Sequence, residues 1–312
     1  MIATVTLNPS LDEWMQLASL RLGGLNRASG FARYPGGKGL NVSRVVHELG
    51  GRTMAFGLAG GEDGLILRER INRLAIPHEF VTVEGSTRNN YKILTSSPRR
   101  LTEINTQGPQ VSLHALRALE RKLIQHAARM RCAALSGSLP PGAPSTIYER
   151  WIGLLRRRGI FTVLDASGSA LKYGLRARPW MIKPNRQEAE ELLGRRLRSL
   201  RSAVRAARQL LDAGPDVVVL SLGVLGALMA SSAPAGVWFA RPPAVAAASA
   251  VGAGDSLIGG FLVGHARGRP LLESFRLGVA SGTATAATPG TELCHASDVR
   301  RLLRRVVIRQ VA

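Results

Sequence analysis

Short apolar runs rich in β-branched residues alternate with longer amphipathic stretches along most of the chain, and this alternation limits the fold more than any other feature. The runs are ATVTLN at 3–8, TMAFGLAG at 53–60, CAALSGS at 132–138, FTVLDAS at 161–167, WMIKPN at 180–185 and DVVVLSLG at 216–223. Helical patterns separate them, as at 112–130, 145–158 and 199–213. Strands alternating with helices predict an α/β protein with a mostly parallel sheet covered by helices on both faces. Two stretches break the alternation. Residues 11–34 carry no clear helical period, and 79–106 read as short strands (EFVTVEG, RNNYKILTS, LTEIN) joined by polar turns. They predict a small β-sheet lid, built from about 11–34 and 79–106 and inserted into one domain over 1–312, with a decorated edge of the main sheet as the plainer alternative.

The 312 residues are 45% hydrophobic and 20% charged, a globular balance that excludes global disorder. Lys plus Arg number 42 against 21 acidic residues, a net charge of +21, and only five of the 42 are Lys. A nucleic-acid-binding protein would concentrate this charge on one face or in a tail. Here the Arg residues spread over almost every segment, with one local concentration at Arg195, Arg196, Arg198, Arg201, Arg205 and Arg208. A solvated basic surface is therefore the reading adopted, and a basic nucleic-acid-binding protein stays a distant alternative. Cys132 and Cys294 lie far apart outside any C-x-x-C pair, so neither a disulfide framework nor a structural zinc site is expected. Asn8, Pro9 and Asp12 interrupt the N-terminus too early for a signal peptide, and no run of about 18 apolar residues could span a bilayer. A cytoplasmic protein without a membrane partner is expected.

Three stretches carry the chemistry. In PGGKGLNVSRVVHELG (35–50), consecutive glycines precede a helix pattern, so free N–H groups and the positive end of a helix dipole face the loop, and Lys38 adds a cation. Such a loop suits an anionic or hydroxyl-rich ligand, although the spacing is not that of a P-loop. In VGAGDSLIGGFLVGHARG (251–268), Asp255 opens a helix beside the amides of Gly252, Ala253 and Gly254. A carboxylate base next to an anion cradle is what a hydroxyl nucleophile needs during phosphoryl transfer, whereas a simple N-capping aspartate is the plainer alternative. In IKPNRQEAEELL (182–193), Asn185 and Glu188 share the start of a helix, either as an oxygen pair for Mg²⁺ or as a capping box. Two weaker stretches follow. SLGVLGAL (221–228) reads as strand, glycine turn, strand, and ASGTATAATPGT (280–291) as a small-residue helix able to approach a flat ring.

Taken in order, TLNPSLD (6–12), GGKGLNVSRV (36–45), TRNNYKI (87–93), TEIN (102–105), SGSLPPG (136–142), KPNRQE (183–188), SLGVLGAL (221–228) and VGAGDS (251–256) resemble the PfkB carbohydrate kinases of the ribokinase-like fold. The narrower likeness, carried by GGKGLNV and TRNNYKI, is to the phosphosugar branch of that family. The resemblance implies Asp255 as the base, with Gly252, Ala253 and Gly254 as the anion hole. It implies Asp12, Gly36, Gly37 and Asn41 as sugar ligands, and Arg88, Lys92 and Lys38 as a clamp for the substrate phosphate. Lys183, Asn185 and Glu188 would serve ATP phosphates and Mg²⁺, with Asn185 and Glu188 reaching the metal indirectly. Ser221, Gly223 and Gly226 would line the nucleotide site, with Ser281 and Thr283 as further nucleotide candidates. Fructose 1-phosphate is the first substrate implied, with fructose 6-phosphate and tagatose 6-phosphate as alternatives, and neutral-sugar or nucleoside kinases further off. The run INTQGP (104–109) departs from the family's fructose-1-phosphate pattern at Gln107, Tyr91 is bulkier than usual before the clamp lysine, and SSPRR (96–100) is unusually basic. Exposed strand edges on the lid point to a homodimer formed through it.

Overall fold

Side-chain alternation along the first strand, Ile2–Thr6 (β1), sorts the molecule into two faces. Ile2 packs with the helix Lys38–Glu48 (α1), and the hydroxyls of Thr4 and Ser43 of that helix share a hydrogen bond of 2.7 Å. Ala3 and Val5 enter the core on the other side. The computed structural model describes residues 1–247, 249–290 and 292–312. Its remaining strands are β2 (Ser10–Leu17), β3 (Gly30–Gly36), β4 (Thr53–Ala59), β5 (His78–Thr82), β6 (Arg88–Ser96), β7 (Arg99–Asn105), β8 (Cys132–Ser136), β9 (Phe161–Asp165), β10 (Met181–Ile182), β11 (Val217–Ser221), β12 (Ala227–Ser232), β13 (Ala235–Arg241) and β14 (Val307–Gln310).

Ten strands form one sheet in the order β14-β13-β12-β11-β10-β9-β8-β1-β4-β5. From β5 to β11 all neighbours are parallel, and β12 to β14 complete an antiparallel edge. Helices α1, α8 (Ala253–Ala266), α9 (Leu271–Ala287) and α10 (Ala296–Leu303) cover one face. Helices α3 (Leu113–Gln125), α4 (Ile147–Arg156), α5 (Gly168–Arg176), α6 (Arg186–Leu193) and α7 (Leu200–Asp212) cover the other. Helix α2 (Gly61–Arg73) packs Leu67 and Ile71 against Leu11, Leu40, Ala55 and Phe80 in a smaller cluster. The mostly parallel, doubly covered sheet expected from the alternation is present.

A second sheet runs β3-β2-β6-β7, with β2 parallel to β6 and the other pairs antiparallel. Apart from Ser10, Pro35 and Gly36 at the strand ends, its residues fall within the stretches that broke the pattern, and those stretches differ from it at one strand. His78–Thr82 does not join it but pairs in parallel with β4 at the edge of the large sheet, because Phe80 belongs to the apolar cluster under α2. The Arg-rich stretch 195–208 leads into α7, where Ser199 closes a capping box and Ala203, Ala206, Ala207 and Leu210 are buried while Arg201, Arg205 and Arg208 lie on the solvent side. Among the described residues no helix is long and apolar enough to cross a membrane.

Candidate active site

Parallel strands that start together also end together, and the ends of β1, β8, β9 and β10 bring polar residues into one row. Thr6 is in register with Ser136, and Ser136 with Asp165. Lys183 follows β10 immediately. The crevice beyond the carboxyl ends of such strands is where open α/β sheets bind ligands. Asp165 is wholly buried and its Oδ1 accepts from two ammonium groups, Lys183 Nζ at 3.2 Å and Lys38 Nζ at 3.3 Å. Burial opposes its charge, but the two cations together outweigh burial and hold its carboxyl below the usual range. Lys38 also lies 3.6 Å from Glu188 Oε1. The Asp165 carboxylate, followed by that of Glu188, raises the Lys38 ammonium above its ordinary value against the effect of burial.

Asp255 stands on the first turn of α8. Gly252, the residue that starts this helix, has φ +76°, and a Cβ there would lie 2.6 Å from Leu293 Cδ2, so the turn accepts only glycine without rearrangement. Asn41, on α1, donates Nδ2 to Asp255 Oδ2 at 2.8 Å. Burial, then the nearby Asp165 carboxylate, push the Asp255 carboxyl up to about 6, while Lys38, Asn41 and Lys183 pull the other way. Ala253 turns its N–H to the carbonyl of Ala250 at 3.3 Å, whereas the N–H groups of Gly252 and Gly254 have no backbone partner among the described residues. A Cβ on Gly254 would meet Lys183 Nζ at 3.2 Å, so the ammonium stands over this loop. The aspartate, two loop amides and two lysines thus form one pocket of mixed charge.

Asp12 approaches from the small sheet. Its Oδ1 accepts from Ser10 Oγ at 2.9 Å and Asn90 Nδ2 at 3.2 Å, and Lys92 Nζ lies 3.4 Å from Oδ2. A Cβ on Gly36 would sit 2.5 Å from Asp12 Oδ1, so the backbone of the glycine loop and this carboxylate touch. Gly37 caps α1 with φ +114°. The three cations expected to clamp one phosphate have separate partners. Lys38 binds Asp165 and Glu188, Lys92 binds Asp12 with Glu103 at 4.0 Å, and Arg88 donates to the carbonyls of Asn8 at 3.0 Å and Thr106 at 3.3 Å. Burial disfavours the Arg88 charge, with Asp12 partly compensating, and its buried Nε has no partner among the described residues.

Asn185 and Glu188 close a reciprocal cap at the start of α6. Asn185 Oδ1 accepts from the Glu188 N–H at 2.9 Å, and Glu188 Oε2 accepts from the Asn185 N–H at 2.8 Å. The capping box therefore leaves Glu188 Oε1 outside the cap, facing Lys38 at 3.6 Å. Among the described residues no three His, Cys, Asp or Glu form a metal-ligand cluster. The buried Asp165 Oδ2 nevertheless has no hydrogen-bond partner among the described residues. One or two carboxylate oxygens, completed by water and phosphate, match the donor set Mg²⁺ prefers. Ser221 ends β11 beside Asn185, and the turn Gly223–Leu225 is closed by Leu222 N–H to the Gly226 carbonyl at 2.8 Å. Ser281 and Thr283 donate their hydroxyls to the helix carbonyls of Leu277 and Val279, so neither hydroxyl is free for a ligand as the side chains stand. Thr291, the last residue of the 280–291 stretch, lies outside the described residues.

The model of the pfkB family carbohydrate kinases matches residues 5–298. The chain belongs to the PfkB family of carbohydrate kinases. It is a sugar kinase, with ATP as the phosphoryl donor of the family. It is 37% identical over 308 residues to the 1-phosphofructokinase of Bacillus subtilis, covering 99% of both chains. It is 34% identical over 302 residues to the ATP-dependent 6-phosphofructokinase isozyme 2 of Mycobacterium tuberculosis, covering 96% of this chain and 88% of that one. The structure of phosphofructokinase-2 from Escherichia coli in complex with substrates and products superposes with a TM-score of 0.90 at 31% identity, covering 97% and 98% of the two chains.

In this PfkB kinase the sequence reading missed Asp165, the hub of the charge network, together with Asn90, Ser10 and Asn8 around Asp12 and Arg88. A charged residue closing the apolar run FTVLD was the available signal for Asp165. The other three lie in polar strands and turns where sequence pattern does not separate ligands from loop residues.

Proposed function

We propose that this chain phosphorylates a phosphohexose at the expense of ATP, with fructose 1-phosphate converted to fructose 1,6-bisphosphate as the first assignment. The observation that carries the reading is the buried Asp255, aimed by Asn41 and set beside the open amides of Gly252 and Gly254. In the reaction the C6 hydroxyl gives its proton to Asp255 while its oxygen bonds to the γ-phosphorus of ATP, and the bond from phosphorus to the bridging oxygen breaks to release ADP. Charge on the transferring group is met by the two amides and by Lys183. Lys38 lies between Asp165 and Glu188, on the side of the donor phosphates. Arg88, with its unpartnered Nε, is the cation best placed to take the substrate phosphate, and Asp12 with the Gly36–Gly37 loop takes sugar hydroxyls. Mg²⁺, when bound, neutralises phosphate charge, and Glu188 Oε1 with Asp165 Oδ2 would hold it, in part through water. The turn at Gly223 and Gly226 borders the nucleotide.

The 37% identity to a 1-phosphofructokinase supports fructose 1-phosphate, and the 34% identity to a 6-phosphofructokinase supports the second reading, fructose 6-phosphate. A furanose ketohexose carries a hydroxymethyl group at each end, so one pocket can accept either ester turned end for end. The deciding experiment is ADP release with fructose 1-phosphate, fructose 6-phosphate, tagatose 6-phosphate and unphosphorylated fructose. Fastest turnover with fructose 1-phosphate supports the assignment, and faster turnover with free fructose than with every phosphohexose would overturn the phosphosugar reading.

The small sheet, as a lid, would also carry the homodimer. Met15 faces Phe31 and Ile93 across the strands, and Tyr91 faces Ile104, on the side opposite Asp12 and Lys92. Phe31 is 60% exposed and Ile104 51%. A second copy would cover this apolar face.

A further inference from the structure

We infer that Lys92 is a positioning residue for Asp12 and not a direct ligand of the substrate phosphate; the inference rests on the phosphohexose reading given above. Three observations meet at this pair. Lys92 and Asp12 are both buried, and Lys92 Nζ lies 3.4 Å from Asp12 Oδ2. The other carboxylate oxygen is held from the opposite side by Ser10 Oγ and Asn90 Nδ2, so the plane of the Asp12 carboxylate is set by three donors on two strands. Glu103, the cross-strand partner of Lys92, lies 4.0 Å from the same ammonium and draws it towards β7.

Lys38 also faces two carboxylates but keeps 36% of its side chain exposed, whereas Lys92 keeps 6% and its ammonium is turned to Asp12 and Glu103 inside the protein. Arg88 offers the contrast, since among the described residues its guanidinium hydrogen-bonds to the carbonyls of Asn8 and Thr106 and keeps one buried N–H without a partner. Lys92 instead does two things for Asp12. It fixes the direction in which the carboxylate presents its lone pairs to a sugar hydroxyl, and it cancels a negative charge that would otherwise repel an incoming phosphate dianion. A carboxylate freed to rotate loses the alignment on which hydroxyl selection depends, and displacement of such a group by about 1 Å can cost on the order of 100-fold in rate.

The test compares wild type, Lys92→Met, Lys92→Gln, Lys92→Arg, Asp12→Asn and the double variant Asp12→Asn with Lys92→Met. Each is assayed with fructose 1-phosphate and with its 3-deoxy and 4-deoxy analogues, and binding of a fluorescent ATP analogue reports a folded body. Positioning predicts that Lys92→Met and Lys92→Gln lower kcat/KM on the order of 100-fold with the full substrate. It further predicts that they collapse the preference for that substrate over the deoxy analogue sensed by Asp12. Lys92→Arg should restore part of the preference, and the double variant should be no worse than Asp12→Asn alone. The inference is overturned if Lys92→Met raises the KM for every phosphohexose equally and keeps the deoxy preference, or if the two single losses multiply in the double variant. It is also overturned if both Lys92 variants lose nucleotide binding, because the lysine then supports the fold as a whole. Failure of the phosphohexose reading looks different: wild type itself would turn over none of the phosphorylated sugars, and the inference would fall with it.

Discussion

Asn41 and Asp255 are 214 positions apart in sequence, yet the amide of the first donates to Oδ2 of the second at 2.8 Å. The bond joins the two glycine-flanked helix starts, α1 and α8, which lie on the same face of the large sheet. It also opposes the burial that raises the Asp255 carboxyl to about 6. Asp255 must be ionised to accept a proton, so kcat/KM should fall as pH drops through about 6 and level off above it. Asn41→Ala removes a group that lowers this value, so the acid limb should move to higher pH. A pH–rate profile of both proteins checks the direction, and an unmoved limb would separate Asp255 from the titration.

Asp255→Asn keeps the shape of the site but accepts no proton. Turnover should drop by about 10²–10⁴-fold, the usual contribution of a general base, while nucleotide binding survives. Steady-state kinetics alongside binding of an ATP analogue measures both.

Asp165→Asn acts in two opposed ways. Removing its charge relieves the repulsion that raises Asp255, so the acid limb should shift down. The buried Lys183 loses its carboxylate, and stripping one partner from a buried ion pair costs about 3–5 kcal/mol. Denaturant melts and the pH profile of the same variant read the two effects separately.

Arg88→Ala should raise the KM for the phosphosugar well above its effect on the KM for ATP, because Arg88 lies with the carbonyls of Asn8 and Thr106, apart from the Asp165–Lys183 network. Equal increases in both constants would remove its assignment to the substrate phosphate.

His265, half-buried near the end of α8, stacks on Trp180 at 4.4 Å between ring centres and meets Phe161 edge-on at 5.1 Å. Burial, then the charge of Arg131, lower its folded-state value below the ordinary 6.5. The unfolded chain then takes up the proton first as pH falls. Stability contributed by the neutral ring is complete above about 6.5 and declines below it until the folded-state value is reached. His265→Phe should flatten this part of the stability profile, as measured by urea unfolding across pH 5 to about 8.

Much of the fold was legible because strand and helix periods are local properties. The runs at 3–8, 132–138 and 161–167 became β1, β8 and β9, and the turn in SLGVLGAL sits where the glycines demanded it. His78–Thr82 was placed with the small sheet by its polar neighbours. Its partner was decided by Phe80, whose burial under α2 depends on a helix that the strand's own residues do not reveal. Within the candidate site, the placement of Asp255 and the glycine loops at helix starts was legible, because a carboxylate and consecutive glycines at such a position are unusual in local sequence. The pairing of Lys92 with Asp12 was not, since nothing near it in the chain shows that Asp12 would stand 3.4 Å away.

The sequence by itself determined a doubly covered parallel sheet, two anion-friendly helix starts and the residue types for phosphoryl transfer. These follow from local periodicity, from glycine's freedom and from the chemistry of single side chains. Only the tertiary structure decided which charges meet. It put Asp165 between Lys38 and Lys183, tied Lys92 to Asp12, and left Arg88 with an N–H unpartnered among the described residues. Charge pairing depends on distances of a few ångströms between strands that are remote in sequence. Such distances are fixed when the sheets close, and no period along the chain encodes them.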